Sequence, residues 1–361
     1  MRIGIFDPYL DDLGGGEKYM MIIAQCLAKK HNVSVFWDNK EDIKVLQERF
    51  LLDLSAIVRR KNIFSSKVSV WERLLATRQY DVIIILSDGS IPSVLSKKLF
   101  LHFQQPMEHV SSLSWKTRIK LKKVNGIFCN SEFTKKYIEK TFDIQARVIY
   151  PPVEFHPKKV DKENMILHVG RLRVRDVTVE GKPIIDFKKQ SVMIAAFKEM
   201  VQEGLKNWRF VLAVSVKEED REALKEIQKT AQGFPIEFVV NKNNRLLWEL
   251  YNRAKIYWHA TGFGEDLEKH PEFAEHFGMS TVEAMGAGAV PVVINAGGQR
   301  EIVTDNKDGF FWDTLLELKE KTHLLIQDTK LLDRMSKAAR AKTKHFDKER
   351  FFKEIYEVVE N

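Results

Sequence analysis

The stretch Glu275 to Gly288 (EHFGMSTVEAMGAG) restricts this chain more than any other. Two carboxylates, Glu275 and Glu283, flank a turn, Phe277 to Ser280, that opens an apolar helix built on Val282, Ala284, Met285 and Ala287. A helix start has unpaired N–H groups and the positive end of the dipole, so Gly278, Met279, Ser280 and Thr281 can hold a diphosphate. Phe277 lies in the same turn. Glu275, just ahead of it, would then face sugar hydroxyls. Glu283, one turn into the helix, would sit where a ribose emerges, and a carboxylate accepting from vicinal hydroxyls is the device dinucleotide folds use on ribose. The plain alternative is a helix capped by Ser280 or Thr281, with Gly286 and Gly288 allowing close packing. Downstream come a buried-strand run, Val290 to Ile294, and the sequence AGGQREIV. Gly297 and Gly298 there would let the backbone approach a ligand closely.

From its start the chain reads as repeated βα units. Arg2 to Phe6 is a strand, LGGGEKYMMIIAQCLAKK a helix with Tyr19, Ile22, Ile23, Cys26 and Leu27 at helical spacing, and Val33 to Trp37 a second strand. That is the first βαβ unit of a doubly wound sheet. Gly14, Gly15 and Gly16 at the helix start either cradle phosphate or make a tight turn. Further strands are expected at 56–59, 82–86, 99–103, 127–130 and 147–149, and then at 165–169, 210–214, 236–240 and 256–259. The Pro151–Pro152 pair ends the first domain, because proline cannot donate to a ladder and disfavours helix before it. The expected division is 1–152, 153–343, and a C-terminal helix over 344–361 that packs back toward the first domain. A length of 361 residues with 44% hydrophobic content suits two cores.

The two cysteines, Cys26 and Cys129, stand in no CxxC or Cys/His cluster, which argues against a zinc site and for reduced thiols. The N-terminus lacks a long apolar run and no segment is apolar enough to cross a bilayer, so a cytoplasmic location is expected. A net charge of +8 favours acidic partners, but no nucleic-acid motif accompanies it. Trp115 to Lys123 (WKTRIKLKK) is a basic helix candidate that either lies on an anionic membrane, peripherally at its inner face, or is a solvated surface.

The order of motifs in EHFGMSTVEAMGAGAVPVVINAGGQREIVTDNKDGF resembles the C-terminal signature of retaining glycosyltransferases of family four, which have the GT-B architecture. The resemblance implies an α/β fold of two doubly wound Rossmann-like domains facing across a cleft. The donor, a nucleotide diphosphate sugar, is then held mainly by the second domain and the acceptor by the first. In the family, an Arg after the VG of the first strand of the second domain and a Lys opening the next helix clamp the donor's diphosphate. Here these are Arg171 and Lys188, with Lys189 an alternate because the insertion from Arg173 to Phe187 lengthens the connection. A fixed guanidinium fork and a mobile ammonium both suit a diphosphate that gains charge as the glycosidic bond breaks. The resemblance also places Gly15 and Gly16 opposite the donor phosphates. His102, near the end of the short apolar run in LFLHFQQP, becomes either a cleft histidine touching the donor or a histidine satisfied in a loop.

The implied reaction moves a hexosyl group to a hydroxyl of a growing glycan or lipid-linked saccharide with retained configuration, and it needs no cofactor. It needs no metal either, since there is no Asp-x-Asp in a metal-site context and Arg171, Lys188 and the helix start supply positive charge. GDP-mannose is one donor candidate, by analogy with members reading EHFG, and a UDP-sugar the other. A nucleotide-sugar epimerase and a non-catalytic sugar-nucleotide-binding module are the competing readings. Interconversion without acceptor would identify the first, and absence of single turnover the second.

Overall fold

Parallel sheets covered on both faces need near-continuous apolar strands. VIIIL at Val82–Leu86 and VPVVI at Val290–Ile294 are buried at every position. The computed structural model of the chain describes residues 1–12, 14–107, 115–158, 160–172, 175–179, 182–184 and 186–360. It divides into two units, Met1–Pro152 with Phe346–Asn361, and Val153–His345.

In the first domain, β1 (Arg2–Phe6), β2 (Asn32–Phe36), β3 (Val58–Arg60), β4 (Val82–Leu86), β5 (Lys98–Phe103), β6 (Gly126–Cys129) and β7 (Arg147–Val148) form a parallel sheet in the order β3-β2-β1-β4-β5-β6-β7. Ile5 lies opposite Val35 on one side and Ile84 on the other. The order reverses between β1 and β4, and the carboxyl ends of the strands at such a switch point are where doubly wound sheets take ligands. The C-terminal helix Lys348–Glu360 packs on the helix Gly15–Ala28. The Tyr356 hydroxyl donates to the Cys26 carbonyl at 2.7 Å, and Phe351 meets Tyr19 edge-on at 5.2 Å.

In the second domain, β8 (Glu163–Leu172) is followed by an antiparallel hairpin, β9 (Arg175–Val179) and β10 (Lys182–Ile184), with Lys182 opposite Val179. The insertion noted in the sequence therefore folds on itself; Arg173, where it begins, lies outside the described residues. The main sheet takes β11 (Arg209–Val216), β12 (Ile236–Val240), β13 (Ala254–His259), β14 (Val290–Ile294) and β15 (Phe310–Trp312) in the parallel order β12-β11-β8-β13-β14-β15. Its core is aromatic. Trp258 lies 5.2 Å from Phe210, both without exposure, and the indole N–H donates to Thr322 Oγ1 at 3.0 Å. Truncating a buried aromatic of this kind costs about 3–5 kcal/mol.

Two details depart from the sequence reading. The edge strand β15 is only three residues long and carries no alternation to announce it. Trp37 falls just outside β2: its backbone N–H still bonds the Arg60 carbonyl at 2.9 Å, while its indole N–H bonds Asp42 Oδ2 at 2.7 Å in the next helix. Among the described residues no helix is long and apolar enough to cross a membrane.

Candidate active site

The helix Met279–Gly286 begins at Gly278, whose φ of 113° is open to glycine and strained for other residues. A Cβ there would also lie 2.5 Å from Gln299 Nε2. The first intrahelical bonds run from the N–H groups of Thr281 and Val282 to the Gly278 carbonyl, at 3.0 and 3.2 Å. Met279 and Ser280 therefore open the helix ahead of those bonds, where an anion is bound most readily. This corrects the expectation for Thr281: its N–H is already used and its side chain is fully buried. Phe277 is buried too, at 3% exposure, so its ring packs inward and only its backbone belongs to the turn.

The following glycines support this turn rather than opening space for a ligand. Gly298 donates its N–H to the Glu275 carbonyl at 2.8 Å. An added Cβ would meet Phe277 Cα at 2.4 Å from Gly298 and the Glu275 carbonyl oxygen at 2.3 Å from Gly297. Backbone rests directly on backbone.

Glu275 is the centre of a charged cluster. Its Oε2 accepts from Lys188 Nζ at 2.7 Å and from His259 Nε2 at 2.8 Å. Burial alone would raise the Glu275 carboxyl, but Lys188 and the His259 hydrogen bond hold it well below the usual range. His259, at the end of β13, is pushed down by burial against the pull of Glu275 and stays neutral. Because a carboxylate only accepts, the ring carries its proton on Nε2. Its Nδ1 is buried without a partner among the described residues. Lys188 reaches this point past Gly170, where a Cβ would lie 3.5 Å from the lysine Cγ. The next residue, Lys189, turns through a left-handed φ of 56° to start the helix Gln190–Gln202, and its amine pairs with Glu265. Of the two candidate lysines, the structure brings Lys188 to Glu275.

Glu283, 8% exposed, accepts from the Tyr251 hydroxyl at 2.8 Å, and Ser280 Oγ accepts from Tyr257 at 2.7 Å. Arg171 lies near the end of β8, and its carbonyl accepts from Gln190 Nε2 at 3.3 Å. Beneath it, fully buried His168 donates from Nδ1 to the Trp258 carbonyl at 3.0 Å, and burial pushes it down to about 3.

In the first domain His102 is corrected from a candidate catalytic group to a core residue. It has no exposure, stacks between Tyr19 at 4.3 Å and Phe128 at 4.6 Å, and bonds the Phe128 carbonyl through Nδ1 at 3.0 Å. Burial pushes it down to about 3. Gly15 and Gly16 open the helix Gly15–Ala28. A Cβ on Gly16 would fall 2.2 Å from Gln104 Oε1, whose amide donates to the Gly16 carbonyl at 3.1 Å. Glu17 closes this helix start by accepting from the Gly14 N–H.

Sequence reasoning missed His259, Tyr251 and Tyr257. The signal for His259 was present, since it lies at the carboxyl end of a strand, close to where His102 lies in its own. The tyrosines fall on buried faces and read as core. Among the described residues no group of three or more His, Cys, Asp or Glu side chains is placed to hold a metal ion.

The description "Glycosyltransferase Family 4" matches residues 13–156 and "Glycosyl transferases group 1" matches residues 182–342, so the two together span both domains. The chain belongs to glycosyltransferase family four. Among curated relatives, it is 24% identical over 292 residues to the GDP-Man:Man(3)GlcNAc(2)-PP-Dol alpha-1,2-mannosyltransferase of Dictyostelium discoideum, covering 76% of this chain and 53% of that protein. It is 23% identical to the GalNAc-alpha-(1->4)-GalNAc-alpha-(1->3)-diNAcBac-PP-undecaprenol alpha-1,4-N-acetyl-D-galactosaminyltransferase of Campylobacter jejuni, covering 96% of both. The chain thus spans about half the length of the first relative and nearly all of the second. HepE of Anabaena, solved with UDP, superposes with a TM-score of 0.76 at 18% identity over the whole of both chains. Sucrose-phosphate synthase of Thermosynechococcus elongatus does so at 0.70 and 14% identity over 99% and 98%. The family four fold, two parallel-sheet Rossmann-like domains, is therefore that of this chain.

Proposed function

We propose that this family four member transfers a hexosyl group, with retained anomeric configuration and without a metal ion, from a nucleotide diphosphate sugar to a hydroxyl of a lipid-linked glycan. The observation that carries this reading is the convergence on one turn of a carboxylate, Glu275, a cation, Lys188, and an open helix start at Met279 and Ser280. In this reading the helix start and Lys188, with Arg171, take the diphosphate, Glu275 the sugar hydroxyls and Glu283 the ribose. Positive charge stabilises the leaving diphosphate as negative charge grows on it. Lys188 does the work that a cation does in metal-dependent transferases.

The acceptor class is supported by the names of the two curated relatives, which carry glycans on PP-Dol and PP-undecaprenol. The first relative's GDP-Man favours GDP-mannose as the donor to try first, with UDP-sugars next. The test is transfer from a panel of nucleotide sugars to a polyprenyl-diphosphate saccharide in EDTA, with the product's anomeric configuration read by NMR. A retained product formed in EDTA is expected. Inverted product, or activity lost in EDTA and restored by magnesium or manganese, overturns the corresponding part.

A further inference from the structure

Two points far apart in sequence meet at Glu275. His259 ends β13 and Glu275 follows sixteen residues later, yet His259 Nε2 donates to Glu275 Oε2 at 2.8 Å. Each partner is fixed from behind. The His259 backbone is paired with Val293 of β14, its ring is 1% exposed, and the ring centroid lies 6.2 Å from that of His168 on β8. The Glu275 carbonyl accepts from the Gly298 N–H at 2.8 Å. The loop between them is packed down as well: Phe263 lies 5.3 Å from Trp312, Phe273 is buried, and Glu265 pairs with Lys189. Gly262 turns the chain at a φ of 100°, and a Cβ there would lie 3.5 Å from Ala274 Cα, so the loop leaves and returns at one place. The hydrogen bond therefore joins two rigid points.

The two oxygens of Glu275 are not equivalent. Oε2 takes both Lys188 and His259. Oε1 accepts no hydrogen bond among the described residues and is not an enclosed atom, so the exposed fifth of this side chain includes it. The two donors on Oε2 also differ in kind. Lys188 carries its ammonium on a flexible stem that can follow an anion, whereas the His259 imidazole is locked in place. Its Nε2 proton is shared only with Thr261 Oγ1, at 3.3 Å and itself fully buried. A carboxylate held by one movable and one immovable donor keeps its orientation when the movable one leaves.

We propose that His259 is the positioning residue of Glu275: it holds Oε2 when Lys188 turns to the donor's diphosphate, and so presents Oε1 to one hydroxyl of the sugar. The assignment rests on the transferase reading above. Because a carboxylate oxygen only accepts, a fixed Oε1 asks for a hydroxyl at one position of the sugar ring and gains nothing from a deoxy position. His259 touches no substrate in this scheme and acts through Glu275. The groups that act on the charge of Glu275 are Lys188 and His259, and His168 faces His259 from β8. Burial favours the uncharged carboxylic acid. With Lys188 on the diphosphate, His259 is the group left to favour the anion.

The test compares, in the full chain, His259→Phe, which removes the donor, with His259→Gln, whose side-chain amide can still donate. GDP-mannose is the first donor used and UDP-sugars the next. His259→Phe should lower kcat on the order of ten- to a hundredfold, the scale of a misplaced group at a reacting centre. It should also move the acid limb of kcat toward neutral pH, because a protonated Glu275 no longer accepts in the same way from the sugar. His259→Gln should restore most of both, and His259→Asn, whose shorter amide falls short of Oε2, replaces the phenylalanine variant if that does not fold. Starting from Glu275→Gln, His259→Phe should change kcat by less than about threefold, since coupled residues are not additive. A histidine that only supports the fold predicts the same loss in both backgrounds and an unmoved acid limb, and that result overturns the proposal. A readout free of turnover is the NMR titration of the 13C-labelled Glu275 carboxyl. In Lys188→Met it should titrate at lower pH than in Lys188→Met with His259→Phe, and equal titration overturns the proposal. If the wild type turns over no nucleotide sugar, the transferase reading fails, while this titration still decides whether His259 holds the carboxylate.

Discussion

Replacing Lys188 by methionine keeps the stem of the side chain and removes the charge on which the proposed chemistry depends. That charge lies 2.7 Å from Glu275, each side chain being 19% exposed. At an effective dielectric near 20 a close pair of this kind is worth about 4 kcal/mol before desolvation is counted. A donor phosphate brought to the same amine exchanges one anion for another, so the ground state gains little. In the transition state the diphosphate carries additional negative charge and the exchange is no longer even. Removing one preorganised charge donor then costs about 2.7–4 kcal/mol, or on the order of a hundred- to a thousandfold in kcat. Donor affinity should weaken by less than about tenfold, the mark of an interaction made mainly in the transition state. Unfolding should show a loss of about 1.5–3 kcal/mol, since Glu275 keeps only His259 as a partner. Turnover is followed by release of nucleoside diphosphate and affinity by calorimetry, with Lys189→Met, which breaks only the pair to Glu265, as the mild control. A folded Lys188→Met protein with kcat within a few-fold of wild type refutes the assignment, and equal losses in affinity and kcat refute the transition-state argument.

Glu283→Ala should weaken nucleoside diphosphate binding by about 0.5–1.5 kcal/mol for each ribose hydrogen bond lost, and unchanged calorimetry would remove Glu283 from the ribose site. Glu275→Gln should narrow the gap in affinity between a nucleotide sugar and the bare nucleoside diphosphate, because the carboxylate is the proposed sugar contact; an unchanged gap counts against it. Gly298→Ala forces a Cβ to within 2.4 Å of Phe277 Cα and should cost about 1–3 kcal/mol of stability together with donor binding; a neutral result would mean that the turn can shift. His102 and His168 lie at about 3 when folded, against 6.5 ordinarily, so the unfolded chain binds protons that the folded chain refuses. Stability is therefore complete above about pH 6.5 and falls on acidification toward pH 3, by about 2 kcal/mol per histidine between pH 7 and pH 5. Denaturant titrations at the two pH values check this, and His102→Phe should flatten the response of the first domain.

The sheet strands were legible because burial on both faces leaves an apolar run that polar surroundings delimit, and Val82–Leu86 and Val290–Ile294 fall where those runs do. Ends were less legible. β8 continues through Gly170, Arg171 and Leu172 because it pairs with β11 up to Val216, a tertiary fact with no local signal. The turn at Glu275–Ser280 was readable because helix-start chemistry is local, but which of its groups face outward was not. Thr281 and Phe277 look like their neighbours in sequence and differ only in what the fold puts over them. His102 and His259 make the same point as a pair. Both lie in the last two residues of a parallel strand, yet Tyr19 and Phe128 enclose the first while Glu275 meets the second. Position on a strand locates the edge of the sheet. The neighbouring elements decide whether the side chain there is core or site.

In the proposed reading, the hydrogen bonds of Glu275 would link recognition of the two halves of a donor. One oxygen of this carboxylate accepts from both Lys188 and His259, which holds the cluster near neutrality. If a diphosphate draws Lys188 away, Glu275 is left as a partly buried carboxylate with a single neutral donor, an unfavourable state unless other donors arrive. Sugar hydroxyls are such donors, and they come only with the intact nucleotide sugar. A bare nucleoside diphosphate, the product of the reaction, would satisfy Lys188 and leave Glu275 short. In the proposed reading, substrate is thereby favoured over product at the point where they differ, by the carboxylate assigned to the sugar.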